Sequence, residues 1–169
     1  MRFGRMQKCT QNSKRSRKNK KGRMPDMDNL ISLLVYAEDQ GIDVDWFPMS
    51  RASSLSIPLG DDRYGIAIDP AKLRSRQELV HKLAHELGHC QTGSFYNRYT
   101  DFDSRQRHEN RADKWAVQKL IPAEALDDAI AAGCTEIWEL AERFDVTEEF
   151  ARKAVCYHVH GNLATELYF

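Results

Sequence analysis

The stretch that decides the fold is Glu78–His89, which reads E-L-V-H-K-L-A-H-E-L-G-H. It ends in the pattern His-Glu-x-x-His, formed by His85, Glu86 and His89. Residues four apart share one face of an α-helix, so both imidazoles can reach a single ion. Glu86 lies close enough to meet a metal-bound water without displacing it. The pattern is that of a zinc hydrolase, in which the carboxylate takes the proton of the water and the ion acts as a Lewis acid.

The His-Glu-x-x-His pattern is a weak signal alone, because a helix with two surface histidines also satisfies it. The residues around it strengthen the signal. The match lies on a predicted helix after a predicted strand, and Leu79, Leu83 and Leu87 line the opposite side. His81 lies one turn before His85. Three consecutive turns cannot converge on one tetrahedral ion, since the outer pair is about 12 Å apart at about 1.5 Å per residue. We therefore expect His81 to pack or to support the site.

The next predicted helix offers the third protein ligand that a catalytic zinc site needs. Within His108–Ala116, Glu109 and Asp113 share one face with alanines, an odd composition for a buried face. It is explained if Glu109 binds the ion and Asp113 accepts a hydrogen bond from a ligating histidine. The alanines would let this helix approach the first one closely. His108 is the rival ligand, but it is rotated about 100° away from Glu109.

Composition divides the chain into two unlike parts. Its 169 residues carry 25 Lys+Arg and 25 Asp+Glu, yet residues 1–23 contain ten basic residues and no acid. We expect residues 1–23 to be a disordered basic tail and residues 24–169 to form one domain, the predicted zinc hydrolase domain. The tail is either a dispensable solvated segment or a contact for nucleic acid. The acidic remainder makes direct nucleic-acid binding by the domain unlikely.

The remaining bulk features exclude several classes of protein. No stretch approaches the roughly 20 apolar residues that cross a bilayer, and the basic start lacks the small-residue cleavage site of a signal peptide. The cysteines form no CxxC pair, which argues against a disulfide framework and a thiolate zinc site. They are Cys9, Cys90, Cys134 and Cys156. We expect a cytoplasmic protein without a membrane partner.

The pattern of apolar residues predicts an α+β protein. A first helix begins near Met27 and ends near Gly41, and a polar loop runs from Gly93 to about Gln106 between later helices. Three short alternating segments between these regions indicate a small antiparallel sheet. The predicted strands are Ile42–Phe47, Ser53–Pro58 and Tyr64–Asp69. The sheet is expected to pack on a mainly helical domain.

Two short helices, Thr135–Phe144 and Thr147–Tyr157, are predicted near the end of the chain, each with a threonine cap. The segment between them resembles the turn of a helix-turn-helix, which raises DNA binding as a rival function. The second helix begins with Glu148 and Glu149, where base-reading residues would lie, and carboxylates repel phosphates. We therefore expect a C-terminal helical hairpin that closes the core.

Together the motifs resemble the ImmA/IrrE family of metallo-endopeptidases. The family pattern is HExxH, then E-x-x-A-x-x-F-A, then a hydrophobic pair before proline. This chain has HELGH at 85–89, Glu109–Ala116 with Trp115 in place of phenylalanine, and Leu120–Pro122. The resemblance covers about residues 27–158 and implies a zincin-like fold.

The resemblance also implies a ligand set and an activity. The implied cofactor is Zn²⁺, with His85, His89 and Glu109 as metal ligands, Glu86 as the catalytic residue and Asp113 completing a gluzincin-like E-x-x-x-D pattern. Family members are typically intracellular regulators, often carried by phages and mobile elements, that cleave a helix-turn-helix repressor. The implied partner is such a repressor. The alternative is a metal-containing module that binds a repressor or nucleic acid without cleaving it, but the intact Glu86 favours the enzyme.

Two features of the substrate side are less determined by the sequence. A donor for the developing oxyanion is expected. The strand Tyr64–Asp69 is expected to be the sheet edge along which an extended substrate pairs. The sequence does not choose among the candidate oxyanion donors, which are Tyr96, Tyr99, Tyr157 and His158.

Overall fold

The computed structural model describes residues 28–97 and 99–168. Within these residues it has six α-helices and a three-stranded sheet, which confirms the α+β class. The predicted tail at residues 1–23 lies outside the described residues. In chain order the elements are α1 (Asn29–Asp39), β1 (Ile42–Trp46), β2 (Ser54–Gly60), β3 (Arg63–Ile68), α2 (Arg76–Thr92), α3 (Phe102–Leu120), α4 (Ala123–Ala131), α5 (Ile137–Phe144) and α6 (Glu148–His160), with short 3₁₀ turns at Pro70–Lys72 and Thr165–Leu167.

The sheet is mixed, so the expectation of a purely antiparallel sheet is wrong. The strand order is β1-β3-β2, in which β2 and β3 form an antiparallel hairpin and β1 lies parallel to β3. The connection at residues 47–53 passes over one strand position, so that β2 lies two positions away from β1. β3 then occupies the position between them. Alternation of apolar residues cannot reveal such a crossing, because it reports which face is buried and not which strand is the neighbour.

The strand order also corrects the expected substrate edge. β3 (Tyr64–Asp69 in the sequence prediction) is paired on both sides, whereas β2 has an unpaired side within the described chain. The Ser53 carbonyl accepts a hydrogen bond from the Asp69 N–H, so the backbone of Ser53 points toward β3. Backbone direction alternates along a strand. The backbone groups of Ser54, Ser56 and Pro58 therefore point toward the free edge.

The core lies between the inner face of the sheet and α2, which crosses behind it. Ile66 and Ile68 of β3 are buried against this helix, while Leu55 and Ile57 of β2 are exposed on the outer face. The buried residues of α2 follow helical spacing, as the sequence predicts. They include Val80, Leu83, Ala84 and Leu87, each 0% exposed.

A close crossing of α2 and α3 fixes the relation between the two motif helices. A Cβ atom built on Gly88 would lie 2.5 Å from the carbonyl oxygen of Ala112, closer than real Cβ atoms come. Only glycine therefore fits at this position, and Ala112 and Ala116 are fully buried beside it. The expected close approach through alanines is observed, and it places Glu109, one turn before Ala112, next to α2.

Of the two predicted threonine caps, one is observed. Thr147 caps α6 as expected, but α5 begins with a capping box between Glu136 and Glu139 and not with a Thr135 cap. Asp101 caps α3, so this helix starts at Phe102 and the preceding loop is shorter than predicted. α3 ends at Leu120, two residues before Pro122.

The C-terminal hairpin of α5 and α6 closes the core, as expected. Phe150, Ala151 and Ala154 of α6 are almost fully buried in the main hydrophobic cluster. Leu140 of α5 joins the same cluster. The inner face of α6 is therefore fixed against the body of the protein, next to α3.

Candidate metal centre

Three side chains from α2 and α3 converge at the crossing of these helices. His85 and His89 lie one turn apart on α2, and their Nε2 atoms are 3.1 Å from each other. The Glu109 carboxylate faces both rings, with Oε2 3.2 Å from His85 Nε2 and Oε1 3.4 Å from His89 Nε2. Their potential ligand atoms all lie within 4.8 Å of one another. The structure thus brings together the three residues predicted from the sequence, and it brings Glu109 there instead of His108.

The far side of each imidazole is held by an acceptor. His85 Nδ1 lies 2.7 Å from Asp113 Oδ1, and His89 Nδ1 lies 2.7 Å from the carbonyl oxygen of Ser94. A carbonyl oxygen and an ionised carboxylate only accept hydrogen bonds, so both Nδ1 atoms carry protons. In the neutral rings the two Nε2 lone pairs then point at each other and at a carboxylate. Such an arrangement needs a positive charge between its members.

The donor set fits a zinc ion. Two imidazole nitrogens and one carboxylate are a ligand set of catalytic zinc sites, and donors about 2.0–2.1 Å from a tetrahedral ion lie about 3.3 Å apart. The two Nε2 atoms lie 3.1 Å apart, and each lies 3.2–3.4 Å from one of the two oxygens of Glu109, close to this value. A His-His-Glu group of this geometry is compatible with a bound divalent metal ion.

The pKa values of the group also indicate that a positive charge is bound between its side chains. Burial lowers the pKa of His85, but its hydrogen bonds with Asp113 and Glu109 outweigh that effect and raise the pKa to about 9. Hydrogen bonds with His85 and His89 hold the pKa of the Glu109 carboxyl well below its usual range. The site therefore binds a proton tightly in the absence of metal, and a metal ion would displace that proton.

A cleft of about 440 Å³ opens over the three side chains. Glu86 is 6% exposed and lies in its wall with His85, His89 and Glu109. Residues 51–56, which include the start of the free β2 edge, also line the cleft. The cleft therefore places a carboxylate, the candidate metal ligands and an unpaired strand edge around one space.

Of the four candidate oxyanion donors, Tyr96 alone lines the cleft. Burial, together with a hydrogen bond to Glu109, raises the pKa of Tyr96 to about 12, so its hydroxyl keeps its proton at neutral pH. Tyr157 accepts a hydrogen bond from Gln118, and His158 lies 2.7 Å from the carbonyl oxygen of Ile121. Tyr99 is 79% exposed in the loop before α3.

The other histidines near the site lie outside the converging group. Burial lowers the pKa of His81 to about 3, and its ring packs 4.7 Å from that of Phe150, consistent with the expected packing role. His108 faces Tyr96, with ring centroids 6.3 Å apart. Neither belongs to the group that could hold a metal ion.

Sequence reasoning missed two contributors to this centre. Ser94 acts through its backbone carbonyl, which carries no residue-type signal, although Gly93 in the left-handed region marks the turn that aims it. Lys153 lies 40 positions from Asp113 in the chain and donates to its second oxygen. A single lysine in an acidic hairpin gives no sign of such a distant partner.

Comparison with known families agrees with this geometry. The family model for the IrrE N-terminal-like domain, peptidase M78, matches residues 37–155. The chain belongs to the peptidase M78 family. Membership confirms the ImmA/IrrE resemblance, and the matched M78 region contains Glu86 and the three converging side chains. No curated protein matches the chain.

The M78 family is a metallopeptidase family, and the substrates of peptidases are in general proteins or peptides. The helices within the described residues are all too short or too polar to cross a bilayer.

Proposed function

We propose that this protein is a cytoplasmic zinc-dependent endopeptidase that hydrolyses one peptide bond in a specific regulatory protein, a helix-turn-helix repressor of a phage or mobile element. The observation that carries the proposal is the convergence of His85, His89 and Glu109 within 4.8 Å, with Glu86 in the wall of the same cleft. Family membership supports peptide hydrolysis as the reaction class. The repressor as substrate rests on the resemblance to the ImmA/IrrE family.

The three converging side chains are the proposed metal ligands, and Glu86 is the proposed catalytic residue. A zinc ion held by these three residues would supply Lewis-acid polarisation of the scissile carbonyl and would lower the pKa of the attacking water. Glu86 takes a proton from this water as the new C–O bond forms. It then passes the proton to the leaving amine nitrogen as the C–N bond breaks. The Tyr96 hydroxyl turns from Glu109 to the carbonyl oxygen and donates to it as negative charge develops there.

The free edge of β2 is the proposed site for the substrate backbone, in place of β3. An extended peptide can pair with the outward backbone groups of Ser54 and Ser56. Both residues line the cleft that contains Glu86. Pairing there places a peptide bond of the substrate over the metal ligands.

A metal analysis and one substitution test the proposal. We expect the purified wild type to hold about one zinc per chain and to cleave a co-expressed helix-turn-helix repressor, with the product identified by mass spectrometry. Glu86→Gln should keep the zinc and lose cleavage by about 10²-fold or more, because general acid–base catalysis contributes about that much. His108→Ala is the matched control, since this residue lies beside Glu109 but outside the converging group.

Two outcomes would contradict the proposal. A wild type without stoichiometric metal would remove the metal centre. If wild type and Glu86→Gln changed repressor function equally and left no cleaved product, the protein would be a binding module.

A further inference from the structure

The carboxylate of Asp113 is held at both of its oxygens. Oδ1 lies 2.7 Å from His85 Nδ1, and Oδ2 lies 2.8 Å from the Nζ atom of Lys153. The side chains of Asp113 and Lys153 are 13% and 23% exposed. A chain of two short contacts therefore runs from α6 through α3 to a proposed metal ligand on α2.

The Lys153 pair differs from the ion pair formed by its neighbour on α6. Arg152 contacts Glu148 one turn earlier on the same helix at 3.0 Å, with side chains 39% and 53% exposed. Exposed pairs of this kind are screened by water and fix little. Lys153 instead bridges two helices, and its contact with Asp113 is shielded from solvent.

The backbone of α6 cannot move freely around this contact. Phe150 and Ala154, which flank Lys153 on the helix, are both 0% exposed in the main core. The ammonium group is thus delivered to Asp113 from a fixed support. Without it, the Asp113 carboxylate would keep one partner and could rotate about its side-chain bonds, and the ring of His85 would lose its fixed orientation.

We propose that Lys153 is a positioning residue of the metal centre, which fixes the Asp113 carboxylate and thereby aims His85 Nε2 at the position shared with His89 and Glu109. The inference rests on the metal site of the proposed function. It assigns the C-terminal hairpin a part in metal binding in addition to its part in closing the core. The simpler reading, in which Lys153 only fastens α6 to α3, predicts a loss of stability without a specific loss of metal affinity.

The test measures zinc affinity of the full chain by competition with a chromophoric chelator. We expect Lys153→Met to weaken zinc binding about tenfold, the lower end of the effect of outer-shell partners of metal ligands. Lys153→Arg should stay within about threefold of wild type, because a guanidinium can also donate to the carboxylate. Arg152→Met is the matched control and should bind zinc as the wild type does. Lys153→Gln serves as a second neutral variant if the methionine variant does not fold.

A double-mutant cycle separates positioning from general stability. In an Asp113→Asn background, Lys153→Met should cause no further loss of zinc affinity, because the contact through which it acts is already removed. Thermal unfolding of the metal-free proteins reports stability independently. The absorption spectrum of bound Co²⁺ reports the ligand geometry, and Lys153→Met should shift it while Arg152→Met should not.

The inference is overturned if both neutral variants bind zinc like the wild type, or if Lys153→Met weakens binding equally with and without Asp113. Failure of the proposed function is a separate result. A wild type that binds zinc and cleaves its substrate, together with unaffected Lys153 variants, would remove this inference alone. A wild type without zinc would remove the metal centre itself.

Discussion

At the residue scale, the two histidines of the centre differ in what holds the far side of each ring. His85 is oriented by the side chain of Asp113, whereas His89 is oriented by the backbone of Ser94. A carboxylate acceptor can be removed by one substitution, but a carbonyl oxygen remains whatever side chain is present. The orientation of His89 therefore depends on the turn at Gly93, and that of His85 depends on side-chain chemistry.

The raised pKa of His85 leads to a prediction about metal binding and pH. In the metal-free protein this ring is protonated below its pKa of about 9, and metal binding must release the proton. Between about pH 7 and 8.5 the apparent zinc dissociation constant should therefore fall about tenfold for each unit of rising pH. Chelator competition across this range measures the slope, and calorimetry in buffers of different ionisation enthalpy counts the released protons. A flat profile would contradict the prediction.

The convergence of the three proposed metal ligands is the part of the centre that the sequence predicts best. The spacing of His85 and His89 follows from helix geometry, and the odd pairing of Glu109 with Asp113 among alanines points to a site. The choice among oxyanion donors could not be made in advance, since Tyr96 and Tyr99 both lie in a loop. Only the path of that loop turns Tyr96 toward the cleft.

At the element scale, the crossing of α2 and α3 sets the distance between the histidines and Glu109. Helix positions could be predicted from periodicity and caps, and the small residues of α3 indicated a close approach. The strand order could not be predicted, because the alternation of β1 fits a parallel neighbour as well as an antiparallel one. Without the strand order, the sequence predicts β3 as the substrate edge, whereas the structure has β3 in the centre and β2 at the edge.

Gly88→Ala tests the crossing. The added methyl group would lie 2.5 Å from a backbone oxygen of Ala112, so the helices must separate, and we expect a loss of about 1–3 kcal/mol in unfolding free energy. Zinc affinity should fall by about tenfold or more as Glu109 moves away from the histidines. Gly65→Ala is the matched control, since its new methyl group would meet the movable side chain of Leu59 at 3.3 Å. Equal effects of the two variants would contradict this account of the crossing.

Ser54→Pro tests the β2 edge. Its N–H points away from β3, so proline removes no hydrogen bond of the sheet and is tolerated at the first residue of a strand. We expect cleavage to fall about tenfold, corresponding to one lost backbone hydrogen bond of about 1.4 kcal/mol, with zinc content unchanged. Ser54→Ala, which keeps the N–H, should cleave like the wild type. Unchanged turnover in the proline variant would place the substrate elsewhere.

At the scale of the whole molecule, charge is separated along the chain. Ten of the 25 basic residues fall in residues 1–23, which leaves 15 basic against 25 acidic residues in the remainder. The candidate site lies entirely in the acidic part, on helices that begin at Arg76 and Phe102. An acidic surface repels nucleic acid and is compatible with a protein substrate.

Deleting residues 1–23 tests whether the basic segment contributes to the chemistry. We expect zinc affinity and cleavage to remain close to those of the full chain, because the deletion removes no residue of the centre. The measurements are chelator competition and cleavage of the repressor at physiological ionic strength. Loss of cleavage with intact zinc binding would identify the segment as a tether for substrate or nucleic acid.

Pro58 limits the length of the exposed edge of β2 that can pair with another strand. Leu55, Ile57 and Leu59 are each 45–50% exposed beside it, and a long apolar edge of this kind would invite a second copy to join the sheet and aggregate. Pro58 has no N–H to donate toward the open side of β2. The pairing of β2 with β3 also becomes irregular between Pro58 and Gly60. About four residues of usable edge remain, roughly 13 Å at 3.3 Å per residue. Such an edge suits a transient substrate strand of the kind proposed and is too short for stable pairing with a second copy of the sheet.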